Sequence, residues 1–146
     1  MMDRRRALMV QAQGKPWEDT GITLQSFTRS SNTAVFTYDS TNKTLYIKSN
    51  GSKTWHGTAC NFTTNSGYEY KLEYDLTYIS GTHMGGPRKL DNRMFASTGY
   101  ILESKHLRVD FQHNSDIATL VLFDTVGTAQ VGEMTYSNFS LQRRPA

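Results

Sequence analysis

From Gly67 to Gly81 the chain reads GYEYKLEYDLTYISG, and it alternates without a break. Tyr68, Tyr70, Leu72, Tyr74, Leu76 and Tyr78 hold the even positions, while Glu69, Lys71, Glu73, Asp75 and Thr77 hold the odd ones. On a helix these side chains would wind around the axis; on a strand they separate onto two faces. A period of two over eleven residues specifies a long β-strand with one buried and one solvated face. At about 3.3 Å per residue the strand spans roughly 40 Å, a length suited to the middle of a sizeable sheet.

The rest of the chain repeats the pattern in shorter units. Strands are predicted at 22–27, Thr33–Asp39, Thr44–Ser49, 55–63, 93–102, 106–113, 117–124 and 131–142. Ser40-Thr41-Asn42-Lys43 reads as a hairpin turn, and Asn50-Gly51-Ser52 and Asn65-Ser66-Gly67 as further turns. The longest irregular stretch is 81–92, GTHMGGPRKLDN, with three Gly and one Pro. About eight to nine strands, turns every few residues and no body helix predict an all-β protein, a β-sandwich or barrel. Alternation places Tyr68, Tyr70, Leu72, Tyr74, Leu76, Leu45, Ile47, Cys60, Phe62, Leu107, Val109 and Phe111 inside. The segment 117–123 is apolar on both faces and reads as a central strand.

A length of 146 residues is one domain's worth. The expected division is an N-terminal arm at 1–20, the sandwich at 21–142 and a C-terminal tail at 143–146. Within the arm Asp3 is placed to cap a short helix, 4–13, ended by Gly14 and the Lys15-Pro16 step. Its few apolar residues suit either a helix packed on a partner subunit or a disordered arm. Net charge is +3, from 16 basic and 13 acidic residues. Setting aside Arg4, Arg5, Arg6, Arg143, Arg144 and Asp3 leaves 11 basic and 12 acidic residues, a net of −1 for the body. The basic character lies at the ends, which argues against nucleic-acid binding by the folded body.

No apolar run is long enough for a membrane span, and Ala7–Val10 is too short for the core of a signal peptide. A lone cysteine, Cys60, excludes a disulfide framework and reads as a buried, inert thiol. No phosphate loop, nucleophile elbow or metal-ligand spacing occurs, so no cofactor and no metal are expected. Glu73 and Asp75 share a strand face as glycosidase carboxylates do, yet they alternate with Lys71 as an ordinary solvated row does. The chain is not expected to be an enzyme.

Sugar recognition needs a flat aromatic for the apolar ring face and fixed polar groups for the hydroxyls. Trp55 and Tyr46 are the outward candidates for stacking, and Arg108, Asp110 and Gln112 form a polar row on one strand. Tyr100 joins them, and His83 and Arg88 are candidates for a loop rim. The plainer alternatives are that Trp55 covers a sandwich edge and that the polar row is merely solvated.

The order Thr44-Leu-Tyr-Ile-Lys, Trp55-His-Gly, Asn65-Ser-Gly-Tyr-Glu-Tyr-Lys-Leu-Glu-Tyr-Asp-Leu, with the ending Met134-Thr-Tyr-Ser-Asn-Phe-Ser-Leu, resembles the carbohydrate-binding modules of galactose-binding-like, jelly-roll fold. The resemblance covers roughly 30–142 and implies a jelly-roll sandwich with glycans as partners. The closing Asp that often joins a calcium site in that family is replaced here by Ser137-Asn138. The start, Asp3-Arg-Arg-Arg-Ala-Leu-Met, resembles small structural proteins of tailed bacteriophages. That implies a virion protein assembled in the host cytoplasm, docking on other virion subunits through Arg4, Arg5, Arg6 and Leu8, homo-oligomeric, and touching host or environmental glycans. A decoration protein without sugar binding and a module of a secreted glycoside-active enzyme are the alternatives.

Overall fold

The computed structural model describes residues 15–30, 33–51, 57–124 and 130–146. Trp55, Arg4, Arg5, Arg6, Leu8 and the helix expected at 4–13 lie outside the described residues. The chain forms an all-β jelly-roll sandwich. Its strands are β1 (Glu18–Asp19), β2 (Thr28–Arg29), β3 (Thr33–Asp39), β4 (Thr44–Ser49), β5 (Gly57–Asn61), β6 (Tyr68–Ser80), β7 (Met84–Lys89), β8 (Lys105–Gln112), β9 (Ile117–Phe123) and β10 (Glu133–Pro145).

The first sheet, sheet A, runs β3-β4-β10-β6-β8, with β1 pairing the C-terminal half of β10. Sheet B runs β2-β5-β9-β7, and every pairing in both sheets is antiparallel. The tyrosine strand is β6, held between β10 and β8 in the interior of sheet A. Tyr70, Leu72, Tyr74 and Leu76 are buried, and Tyr68 is half-buried at the strand's start. Tyr70 stacks on Phe111 at 5.5 Å, with Phe62 edge-on to both, so the two sheets interlock through aromatic rings. Cys60 is buried here, and burial pushes its thiol up to about 11, so it is not a nucleophile at neutral pH.

Three sequence expectations are corrected. The stretch expected to be irregular, 81–92, contains β7, an edge strand of sheet B. Gly85 is required because a Cβ there would collide with the Tyr74 hydroxyl. Gly86, at φ +150°, lies against the backbone of Ala96. Pro87 is tolerated because β7 has a partner on one side only. The strand expected at 93–102 is reduced to two bridges, Arg88 with Met94 and His83 with Ile101. This segment instead runs along the free edge of β7, where Phe95 and Thr98 donate to the Pro87 and Gly85 carbonyls; Met94 packs against Met84, Val121 and Phe123, while Ile101 joins the principal core. The strand expected at 22–27 is a short 3-10 turn, Leu24–Ser26, that buries Leu24.

Glu18 and Asp19 pair with Arg143 and Gln142, and Thr20 donates from its amide to the Leu141 carbonyl at 3.0 Å. Residues 18–19 and 143–145 therefore lie in strands of sheet A, and Thr20 is bonded to β10.

Candidate functional site

The outer face of sheet A is the odd face of β6 together with its partners. Register sets five rows across it. Glu69 lies beside Gln112 and Arg144, Lys71 beside Asp110 and Gln142, and Glu73 beside Arg108 and Ser140. Asp75 lies beside His106 and Ser137, and Thr77 beside Thr135, Tyr46 and Thr37. The face is polar while most inward neighbours on these strands are apolar, as alternation in an antiparallel sheet with one solvated face produces.

These side chains hold one another. Arg108 donates from Nε and Nη2 to the two oxygens of Asp110 at 2.8 and 2.9 Å, a bidentate pair that fixes both groups. Asp75 takes His106 Nδ1 on one oxygen at 2.6 Å and Asn138 Nδ2 on the other at 2.7 Å. Those two contacts, Asn138 first, hold Asp75 below the ordinary carboxylate range. A general acid needs the opposite shift, so Asp75 is poorly set to protonate a leaving group beside Glu73.

Aromatic surface stands at both ends of the face. At one end the Tyr46 hydroxyl donates to Glu133 at 2.7 Å, and that carboxylate raises the phenol's pKa. At the other end is Trp17, half-buried, with Lys71 Nζ 4.7 Å and Arg144 Cζ 4.2 Å from its ring centroid. Arg144 is itself bonded to Glu69. The cations fix the indole in place, and Trp17, Glu69, Asp110, Gln112 and Arg144 line a shallow depression of about 200 Å³. Six residues along β6 separate the Lys71 row from the Thr77 row, so the two aromatics stand on the order of 20 Å apart.

Of the residues singled out from sequence, the structure brings Tyr46, Arg108, Asp110 and Gln112 onto this one face. Tyr100 is exposed, but it lies in the loop between β7 and β8, next to Ile101. Arg88 belongs to β7 of the other sheet, its guanidinium 5.9 Å from the Phe123 ring. His83 is no rim residue: it is fully buried, between the hydroxyls of Tyr74 at 2.6 Å and Tyr136 at 2.9 Å. Trp17 was missed, since it falls in the segment read as an arm. The one available signal was a large aromatic where nothing else is apolar.

The molecule is thus a two-sheet antiparallel sandwich with one polar face open. The fold is that of carbohydrate-binding modules. No protein-family model and no curated protein matches the sequence. Among solved structures the chain is similar to the CBM22-1–GH10 modules of endo-1,4-β-D-xylanase 10B from Clostridium thermocellum, solved with xylohexaose, at TM-score 0.58 and 14% identity over 88% of this chain and 28% of that one. It is similar to a CBM4 structure at 0.56 and 10%, covering 86% of this chain and 81% of that one. It is also similar to the family 11 carbohydrate-binding module of a cellulosomal cellulase of Clostridium thermocellum, at 0.54 and 11%, covering 91% and 95%. The chain thus spans about a quarter of the multi-modular xylanase and most of each single module.

Proposed function

We propose that this protein is a non-catalytic carbohydrate-binding module that receives a glycan along the outer face of sheet A. The observation that carries this reading is the pairing of Trp17 and Tyr46 at opposite ends of a polar face whose hydrogen-bonding side chains are already held in place. Fixed side chains lose little freedom on binding, which favours weak directed contacts to hydroxyls. A sugar ring laid on the exposed part of the Trp17 indole meets Lys71, Gln112 and Arg144 as donors. The similarity to modules of xylanases and cellulases supports a plant-type polysaccharide as ligand class.

The test is calorimetry with xylohexaose, cellohexaose and mannohexaose on the full chain and on Trp17→Ala. At least one hexaose is expected to bind, and Trp17→Ala to weaken it tenfold or more, in line with about 1–3 kcal/mol for a lost aromatic stack. Binding by none of the three, or equal binding by the variant, overturns the assignment of this face. The setting is a finer step: the basic segment with Arg4, Arg5 and Arg6 supports docking onto a larger assembly such as a phage virion, from which the sandwich presents its open face.

A further inference from the structure

β4 follows β10 only as far as Leu45 and Tyr136, and β1 joins the same side of β10 only from Asp19 and Gln142. Between them, from Ser137 to Ser140, β10 has two residues where β6 has one, with Asn138 at φ +51°. This bulge bends the strand out of the regular pleat, and among the described residues no strand flanks it on the β4 side. The gap is open. It forms a cleft of about 550 Å³, bounded by the β3–β4 turn and by the segment around the 3-10 turn. That lies within the roughly 300–1,000 Å³ of small-molecule sites.

The lining is unlike that of a packing defect. Tyr38 and Phe139 contribute ring surface, and Gln25, Asn42, Asn138 and Gln142 contribute four carboxamides. A carboxamide sets a donor beside an acceptor, which complements adjacent hydroxyls that each donate and accept. Asn42 Nδ2 is tied to Asp39 at 2.8 Å and Asn138 Nδ2 to Asp75 at 2.7 Å, so both amide planes are fixed. Gln25, Gln142 and the Tyr38 hydroxyl make no side-chain hydrogen bond to another described residue. One acid, Asp19, and one base, Lys43, leave the cleft without net charge.

We propose that this cleft is a second ligand site, taking one or two rings of a neutral sugar, distinct from the stacking end at Trp17. It shares the ligand class of the proposed function and borders its face at Ser140 and Gln142, but its rings and turn carboxamides, Tyr38, Phe139, Gln25 and Asn42, are not those of the Trp17 end, so the two can fail separately. A phosphate- or uronate-bearing ligand is disfavoured because Lys43 is offset by Asp19. A peptide strand added to β10 is disfavoured because the bulge breaks the ladder it would need.

The experiment is an amide-resolved NMR titration of the full chain with xylobiose, cellobiose, mannobiose and lactose at millimolar concentration. It is repeated on Trp17→Ala and on the double variant Gln25→Ala/Tyr38→Phe, whose unperturbed spectra elsewhere report folding. Saturable shifts are expected at Thr23, Asn42, Phe139 and Gln142 with at least one sugar. They should persist in Trp17→Ala and weaken at least fivefold in the double variant. Absence of shifts at these amides with all four sugars overturns the proposal. So does their loss in Trp17→Ala, or full affinity in the double variant. Shifts at the cleft with none around Trp17 would leave the cleft standing and count against the outer-face reading alone.

Discussion

At the scale of single residues the most consequential side chain is His83. It is fully buried between two tyrosine hydroxyls, each able to donate or accept, so a neutral imidazole can donate from one ring nitrogen and accept at the other. Burial lowers its pKa from 6.5 to about 3. Below pH 6.5 the unfolded chain takes up a proton at this histidine that the folded chain refuses until about pH 3. The unfolded state then binds more protons, so stability falls as pH falls, by up to about 1.4 kcal/mol per pH unit from this group. The contribution is intact above pH 6.5. Urea unfolding between about pH 7 and pH 4 should show this slope in the parent. His83→Gln, which keeps a donor and an acceptor but cannot charge, should be less stable at pH 7 and flatter with pH. Equal slopes would mean that His83 is not kept neutral. This burial was not legible, because His83 sits in a Gly-rich stretch whose period carries no burial signal, whereas Arg108 and Asp110 were legible from strict alternation in β8.

At the scale of elements, strands with side-chain contrast were readable and strands made of backbone were not. β6, β8, β4 and β9 follow from alternation or continuous apolarity. β7, Met84–Lys89, has two glycines and a proline, the residues that argue against a strand, and it forms because tertiary contacts demand them. The β10 bulge was equally hidden. It moves the inward positions from Met134 and Tyr136 to Leu141, a change of parity that no fixed period reports. These constraints are testable together. Gly86→Ala places a Cβ against the Ala96 carbonyl at φ +150° and is expected to destabilise by about 3 kcal/mol. Gly85→Ala drives a Cβ into the buried Tyr74 hydroxyl, with His83 Nε2 and Leu122 Cδ2 at 3.2 Å. Adding Tyr74→Phe removes that hydroxyl, so the double variant should lose less than the sum of the singles. Additive losses in chemical denaturation would place the strain elsewhere.

At the scale of the molecule, the C-terminal basic residues are part of the sheet. Arg143 pairs with Glu18 at 3.0 Å and lies 4.5 Å from the Tyr68 ring centroid, and Arg144 binds Glu69 and covers Trp17. The C-terminal arginines thus close sheet A and hold its aromatic end, although composition alone read them as a tail. The principal core among the described residues begins at Leu24, and an arm that docks on another subunit adds nothing to the sandwich's own stability. Deleting 1–14 is expected to leave the melting temperature within about 2 °C. Deleting 1–20 also removes β1, the two bonds from Thr20 to Leu141, and Trp17. At about 1 kcal/mol per net hydrogen bond, that deletion should lower it by roughly 5–10 °C and abolish binding at the outer face. If the basic segment is a docking arm, the 1–14 deletion should also separate assembly from recognition. The full chain should sediment as an oligomer and the deletion as a monomer, with hexaose binding per chain unchanged. Equal masses for the two proteins would remove self-association from the arm's role, and a large fall in melting temperature on deleting 1–14 would make it part of the domain.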